Sequence, residues 1–476
     1  MQTNLSHSIG TKLPKNLARH AQPWLEQADA VMTGTDDDAV SKRMALLVFA
    51  IRVFSAAIAF LSQVLLARWM GDFEYGIFVG VWVVIVILGT VSCIGLPTAV
   101  IRFIGKYRES GDGELLRGTI VGSVSFAFLS STLIAVLGGV FIYIFQESMT
   151  DYYVIPIVLA VICLPMLALQ EVQDGVCRAF DWPGTALVPT FIVRPIMILI
   201  FMLIALAIGF PPSAVTAMGV TIIATYLAST GQFMALLSKL KGAVPKGPRR
   251  FRMKEWALVA LPIFLIEGFY VLLTSVDILF VSVMMKPENV AVYFAAVKTL
   301  ALVHFVYFAV RAASAHRFSA YLESGDRERY EAYIAQTTRW IFWPSLFLAI
   351  MMMVLGKYFL MLFGENFVSG TSLIWILGLG IVLRSMVGPA ESVLTMSGEQ
   401  NGCAMVYVGT LLVNIVLNWS LIPAYGLHGA AIATTCALGF ESLLLYAVAK
   451  RRLGLHIFIF SQKKSGVSDS EGKAVK

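Results

Sequence analysis

Charge is scarce in this sequence. Lys, Arg, Asp and Glu make up 14% of its 476 residues, against about 25% in soluble domains. The 58% that is hydrophobic, with a mean hydropathy of +0.79, is more apolar surface than a water-soluble core can hide. Lipid is therefore the expected solvent for most of the chain. Cysteine is scarce too: Cys93, Cys163, Cys177, Cys403 and Cys436 are scattered with no pair at metal-ligand spacing. They read as small apolar fillers of helices, and neither a metal site nor a cofactor is expected. No Gly-rich phosphate loop, HExxH or Asp-x-Asp pair stands at a membrane boundary; "TDDDAV" (35–40) lies in a polar stretch. The first 40 residues lack an apolar core followed by a cleavage site, so no secretory signal is expected. No feature points to nucleic acid.

What is present is a series of long apolar runs. Segments such as "IAVLGGVFIYIF" and "LFLAIMMMVL" are apolar all round. Strands of an outer-membrane barrel would be about 10 residues long and alternate polar with apolar, whereas a helical span needs about 20 apolar residues. The expected fold is an all-α polytopic membrane protein with about twelve transmembrane helices. They fall near 44–67, 76–98, 118–145, 152–171, 185–209, 213–238, 255–284, 290–314, 332–355, 371–394, 403–422 and 427–449.

Basic residues choose the sides. One set of connections holds the basic residues of the N-terminal tail, Arg102, Lys106, Arg108, Arg117, Arg178, the run "KLKGAVPKGPRRFRMK" (239–254), Arg317, Arg327, Arg329 and "KRR" (450–452). The other offers only Arg68, Lys286 and Lys357, beside Asp72, Glu74, Glu147, Asp151, Glu288 and Glu365. Both termini are thus expected in the cytoplasm, and the longest outer connection is 355–370. The basic linker and tail could face anionic lipid headgroups or serve topology alone, and "KKSGVSDSEGKAVK" at the end reads as disordered.

The chain repeats itself. "RFIGKYRESGDGE" begins at Arg102 and "RFSAYLESGDRE" at Arg317, both on the cytoplasmic side, after helices 2 and 8. "ARWMGDFEYGIFVG", which closes helix 1 and opens helix 2, is echoed by "VSVMMKPENVAVYFAA", which closes helix 7 and opens helix 8. Six helices apart, the halves share one orientation. Expected units are a polar tail (1–43), a six-helix lobe (44–238), the basic linker (239–254), a second lobe (255–449) and a basic, disordered tail (450–476). Two parallel six-helix halves can rock to expose a central site alternately to each side.

Ionisable residues inside spans are costly and mark candidate function. At ~1.5 Å per residue, Arg52 lies ~12 Å, Arg194 ~14 Å, Lys298 ~12 Å and Arg384 ~20 Å into their helices. Glu267 lies ~18 Å deep, with Asp277 further out and Glu391 and Glu441 in the last helices. His304 and Arg311 share a helix face, as do Arg384 and Glu391, by their spacing of seven. The four cations outnumber the one acid at comparable depth, which suits an anionic substrate such as a phosphate. Against that, Arg52, Arg194 and Arg311 are near enough to the cytoplasmic face to snorkel. Glu267 is either a proton or sodium site, with Asp277 a further candidate, or the partner of an Arg.

Several segments together resemble a known family. "LLARWMGDFEYGIFVGVW", "GLPTAVIRFIGKYRESGD", "SVDILFVSVMMKPENVAVYFAAVKTL", "LFGENFVSG" and "LIPAYGLHGAAIATTCALGF" are similar to recurring segments of bacterial polysaccharide exporters. These are O-antigen flippase-like members of the multidrug/oligosaccharidyl-lipid/polysaccharide (MOP) exporter superfamily. The resemblance spans roughly 42–455. It implies a flippase, MATE-like in fold, that moves an undecaprenyl-pyrophosphate-linked oligosaccharide to the outer leaflet of the bacterial inner membrane by alternating access. It also implies H+ or Na+ as coupling ion, a cationic cavity and contact with polysaccharide polymerase or export machinery. "AASAHRF" departs from relatives that carry a Pro at the end of helix 8, and some relatives have fourteen helices.

Two other classes compete. A drug or metabolite exporter of the MATE branch would share the architecture but need acids for a cationic cargo. A glycosyltransferase or polymerase would show a large outer domain or an acidic metal cluster, and the short outer loops here argue against catalysis.

Overall fold

A computed structural model describes residues 37–323 and 326–460. The expectations for the tail before residue 37 and for "KKSGVSDSEGKAVK" lie outside the described residues, as do Ser324 and Gly325 of the second repeat. Helix is the only regular structure among the described residues. In lipid each backbone polar group must be satisfied within its own segment, which helices do.

The first half contains α1 (Asp37–Cys93), α2 (Leu96–Glu109), α3 (Gly113–Phe145), α4 (Asp151–Ala179), α5 (Pro183–Ile208) and α6 (Ala214–Ala243). The second contains α7 (Met253–Leu273), α8 (Val276–Met284), α9 (Pro287–Glu323), α10 (Arg327–Phe363), α11 (Thr371–Ser385), α12 (Ala390–Met396), α13 (Gln400–Tyr425) and α14 (Leu427–Val448). Among the described residues, ten segments are long and apolar enough to cross a membrane. One of them, Ala50–Glu109, is two helices joined at Gly71 (φ 77, ψ 171). Counting that segment as two passes gives eleven, and α9, at 37 residues long enough to span but not among the ten, would supply the twelfth.

Boundaries differ from expectation where single residues do the turning. No loop separates helices 1 and 2: "DFEYG" continues the helix, and Gly71 alone redirects the chain. The expected outer loop 355–370 is helical to Phe363 and then a 3-10 turn over Glu365–Gly370, because Leu360, Phe363 and Phe367 are buried in the core. The seventh span breaks at Thr274–Ser275 and the tenth at Met386–Pro389. In the latter, Pro389 lacks an N–H and disfavours helix just before it. The chain beyond 450 does not leave the bundle at once, since Leu455 and Ile457 are buried and Ile459 N–H donates to Met386 O at 3.0 Å.

The Glu-Ser-Gly-Asp repeat has a shared structural duty. Asp112 accepts from Leu115 N–H at 3.0 Å to start α3, and Asp326 accepts from Arg329 N–H at 3.0 Å to start α10. Each aspartate satisfies a helix N–H that would otherwise lack a partner.

The cores show how the halves meet. The largest cluster joins both: Val64, Tyr75 and Met218 of the first half pack in one core with Val281, Tyr293, Phe363 and Ile374 of the second. Gly76 permits the closest approach, for an added Cβ would stand 1.8 Å from Pro287 O. Arg68 donates to Leu362 O at 2.5 Å and Met361 O at 2.9 Å, and Asn366 donates to Asp72 at 2.8 Å. At the other end, where the 244–252 linker lies, the cores are separate. One holds Phe103, Leu116 and Val176 with Trp256 of α7, and the other holds Phe318, Tyr333 and Leu445. The halves share one core at the Gly71–Pro287 end; at the linker end the described cores are separate, and of the second half it is α7 that packs against the first, through Trp256 and Ala260.

Candidate functional site: two cavities sharing Lys298

A cavity of about 690 Å³ lies between α1, α5 and α9. Its charged lining residues are Arg194 and Lys298, with no carboxylate among the described residues around it. Arg194 follows a π-helical turn over Pro189–Val193, a local widening that recurs at functional sites, and this turn also presents Thr190 and Phe191 to the cavity. The Arg194 guanidinium donates to Gln170 Oε1 at 3.1 Å and lies 5.6 Å above the Trp82 ring. Lys298 is exposed, with its ammonium 4.8 Å above the Phe294 ring. Cation–π contacts of this kind contribute about 0.5–2 kcal/mol, enough to orient a side chain without neutralising it. Arg52 does not line the cavity; it packs 5.0 Å over Phe191, which does.

A second cavity, about 340 Å³, lies inside the second half and also takes Lys298 into its wall. Here the charges are paired. Arg384 Nε is 2.7 Å from Glu441 Oε1 and its Nη2 3.5 Å from Glu391 Oε2, with the guanidinium 5.3 Å over the Tyr307 ring. Tyr307 OH donates to the same Glu391 oxygen at 3.2 Å. Asp277, buried, accepts from Tyr293 OH at 2.8 Å, Thr434 Oγ1 at 3.2 Å and Ile278 N–H at 2.9 Å. His304 lines this cavity as well.

The structure therefore brings Arg194 to Lys298, and Lys298 to Arg384, Asp277, His304 and Glu391. It leaves Arg52 and Glu267 outside both walls. Glu267 instead accepts from Thr98 Oγ1 at 2.6 Å, where α7 meets α2. Arg311 sits on α9, and its side chain lies outside the described residues.

The expected excess of deep cations needs correction. It holds for the larger cavity only, because Glu441 and Glu391 offset Arg384. Sequence reasoning also missed buried acids of the first half. Ending the fourth span at 171 put Asp174 in a loop, whereas α4 runs to Ala179. Asp174 is buried, accepting from Thr190 Oγ1 at 3.0 Å and from the Gln232 amide. The surplus of polar residues in "LQEVQDG" (169–175) was the available signal, since amides and acids cluster there with helical spacing.

Residues 41–321, more than half of the chain, match the family described as polysaccharide biosynthesis protein. The chain belongs to this family. Residues 262–420 also match the MatE family. No curated protein matches. Among solved structures, the fold is similar to an inward-facing multidrug resistance MATE family transporter of the MOP superfamily. That comparison has 14% identity and a TM-score of 0.70, and covers 84% of this chain and 94% of the other. It is likewise similar to the lipid II flippase MurJ in an inward closed conformation, with 16% identity, a TM-score of 0.68 and coverage of 85% and 87%. A MOP superfamily transporter from Pyrococcus furiosus gives 15% identity, a TM-score of 0.64 and coverage of 89% and 97%. At these identities the likeness establishes the fold: this polysaccharide biosynthesis family member is a MATE-like multi-pass membrane protein.

Proposed function

We propose that the protein is a flippase for a polyprenyl-pyrophosphate-linked oligosaccharide. The observation that carries the reading is the larger cavity, where Arg194 and Lys298 face a common space with no carboxylate among its described lining. An arginine fork and a lysine point charge suit a pyrophosphate, and unpaired cations in a membrane interior are maintained at a cost that function must justify. The basic connections at the linker end support a cytoplasmic placement of that end, in the inner membrane of a bacterium. A core shared by the halves at the opposite end, with separate described cores at the linker end apart from the packing of α7 on the first half, suits a state that receives cargo from the cytoplasm. Rocking about the shared core would expose Lys298 to the outer face. H+ or Na+ is the proposed coupling ion, and transport without catalysis is the proposed activity.

The paired charges of the second cavity favour the rival reading, export of a cationic drug or metabolite by a MATE-type mechanism, because Asp277, Glu391 and Glu441 all line it. Reconstitution separates the two. Proteoliposomes holding the protein and a fluorescently tagged polyprenyl-pyrophosphate saccharide should lose the tag's protection from an external quencher faster than empty vesicles. Equal rates, together with uptake of a cationic dye, would transfer the assignment to the exporter class.

A further inference from the structure

We infer that the smaller cavity is the saccharide subsite of this cargo, and that it accepts neutral or amino sugars next to the pyrophosphate while disfavouring uronic acids. The inference rests on the flippase reading above.

The two cavities differ in the chemistry they offer. The larger one carries two positive charges, Arg194 and Lys298. The smaller one is lined by Asp277, Glu391 and Glu441 against Lys298 and Arg384, a formal balance of one negative charge with His304 neutral. A second anionic group would meet repulsion there, and its desolvation would go uncompensated. Neutral hydroxyls and ammonium groups meet no such cost.

Aromatic rings supply the platform. Tyr270, Tyr307 and Tyr407 line the smaller cavity. The Tyr270 ring is 40% exposed and meets Tyr407 edge-on at 6.4 Å between centroids. The apolar C–H face of a pyranose packs on such a ring while its hydroxyls point to the walls. Those walls hold buried polar atoms that no other described residue satisfies. Tyr407 is 3% exposed, and its hydroxyl has no hydrogen-bond partner. Arg384 Nη1 is likewise buried and unpartnered, beside the two nitrogens that serve Glu441 and Glu391. Buried donors and acceptors are normally paired, so a hydroxyl-rich ligand fits both atoms. At about 340 Å³ the space stands near the lower limit of ligand pockets, about 300 Å³, which suits the first sugar or two rather than a long chain.

Lys298 stands in both walls. A phosphate contacted from one side and a sugar from the other is the arrangement that a pyrophosphate-to-sugar junction presents. Lys298 thereby fixes which end of the head group faces which half.

Binding to the full-length protein in lipid nanodiscs tests the inference, using three probes: farnesyl pyrophosphate, its N-acetylglucosamine conjugate and its glucuronic acid conjugate. The N-acetylglucosamine probe should bind at least tenfold more tightly than the sugar-free one, with the glucuronic acid probe showing no gain. Tyr270→Leu should shrink the tenfold ratio toward one. Glu391→Gln, a near-isosteric change that serves should the tyrosine variant fold poorly, should raise the relative affinity of the glucuronic acid probe. Equal affinities of the sugar-free and N-acetylglucosamine probes for the unaltered protein would overturn the subsite and leave the flippase reading standing. If farnesyl pyrophosphate itself does not bind, both readings fall.

Discussion

Arg384 Nε and Glu441 Oε1 stand 2.7 Å apart, an ion pair between α11 and α14 whose side chains are only 12% and 4% exposed. Such a pair stabilises little relative to an apolar replacement, yet losing one partner is severe, because a buried charge remains. Glu441→Ala should destabilise the protein by about 3–5 kcal/mol, read as a lowered thermal midpoint in detergent. The double variant Arg384→Met/Glu441→Leu should recover most of that loss. An unchanged midpoint for Glu441→Ala would show that Glu391, at 3.5 Å, suffices alone.

The seam between the halves depends on a residue without a side chain. A Cβ on Gly76 would fall 1.8 Å from Pro287 O, and neither backbone can yield without parting the shared core. Gly76→Ala should open this end. Gln63, which accepts from Tyr75 OH at 2.9 Å beneath the seam, provides the reporter: Gln63→Cys should be labelled by a membrane-impermeant maleimide from outside several-fold faster in the Gly76→Ala background. Equal labelling would mean that the seam is not the outer gate.

Among the described residues, Lys298 is the one charged group common to both cavities. Lys298→Gln should reduce flipping at least tenfold while the protein still inserts and folds, since its ammonium packs on the Phe294 ring and makes no ion pair among the described residues. Lys298→Arg should retain part of the activity, keeping the charge but changing its shape and reach. Arg194→Ala should act in the same direction. Full activity of Lys298→Gln would remove it from the site.

At the linker end, Asp112 joins helix capping to charge. The Leu115 N–H, and secondarily the Arg250 guanidinium, hold its carboxyl below the ordinary aspartate value of 3.8. A depressed folded-state value means that the contribution is complete above 3.8 and disappears as pH falls through the lowered value. Asp112→Asn keeps the cap, since both residues cap well, but abolishes this dependence. The thermal midpoint of the unaltered protein should exceed that of Asp112→Asn at neutral pH and converge with it in acid. Parallel curves would exclude the linkage.

Much of this was legible in the sequence, for identifiable reasons. Apolar runs about as long as a bilayer is thick mark the passes whatever their neighbours do. Asp112 and Asp326 announced a repeat because capping is a local task requiring a particular residue at a particular place. Arg384 and Glu391 were paired by their spacing of seven, and they do meet, although across the break at Met386–Pro389 rather than on one unbroken helix face. Glu441 as the closer partner was not legible, because no periodicity connects α11 to α14. Likewise the burial of Asp174 depends on Gln232 and Thr190, which arrive from other helices. Depth along a helix can be counted from sequence, but which cavity a side chain enters depends on how the helices pack.

The most direct measurement is mass spectrometry of polyprenyl-linked lipids from cells lacking the protein. The expected result is accumulation of a polyprenyl-pyrophosphate oligosaccharide, cleared when the unaltered gene is restored and persisting with Lys298→Gln. Unchanged lipid pools combined with new sensitivity to cationic drugs would contradict the flippase assignment.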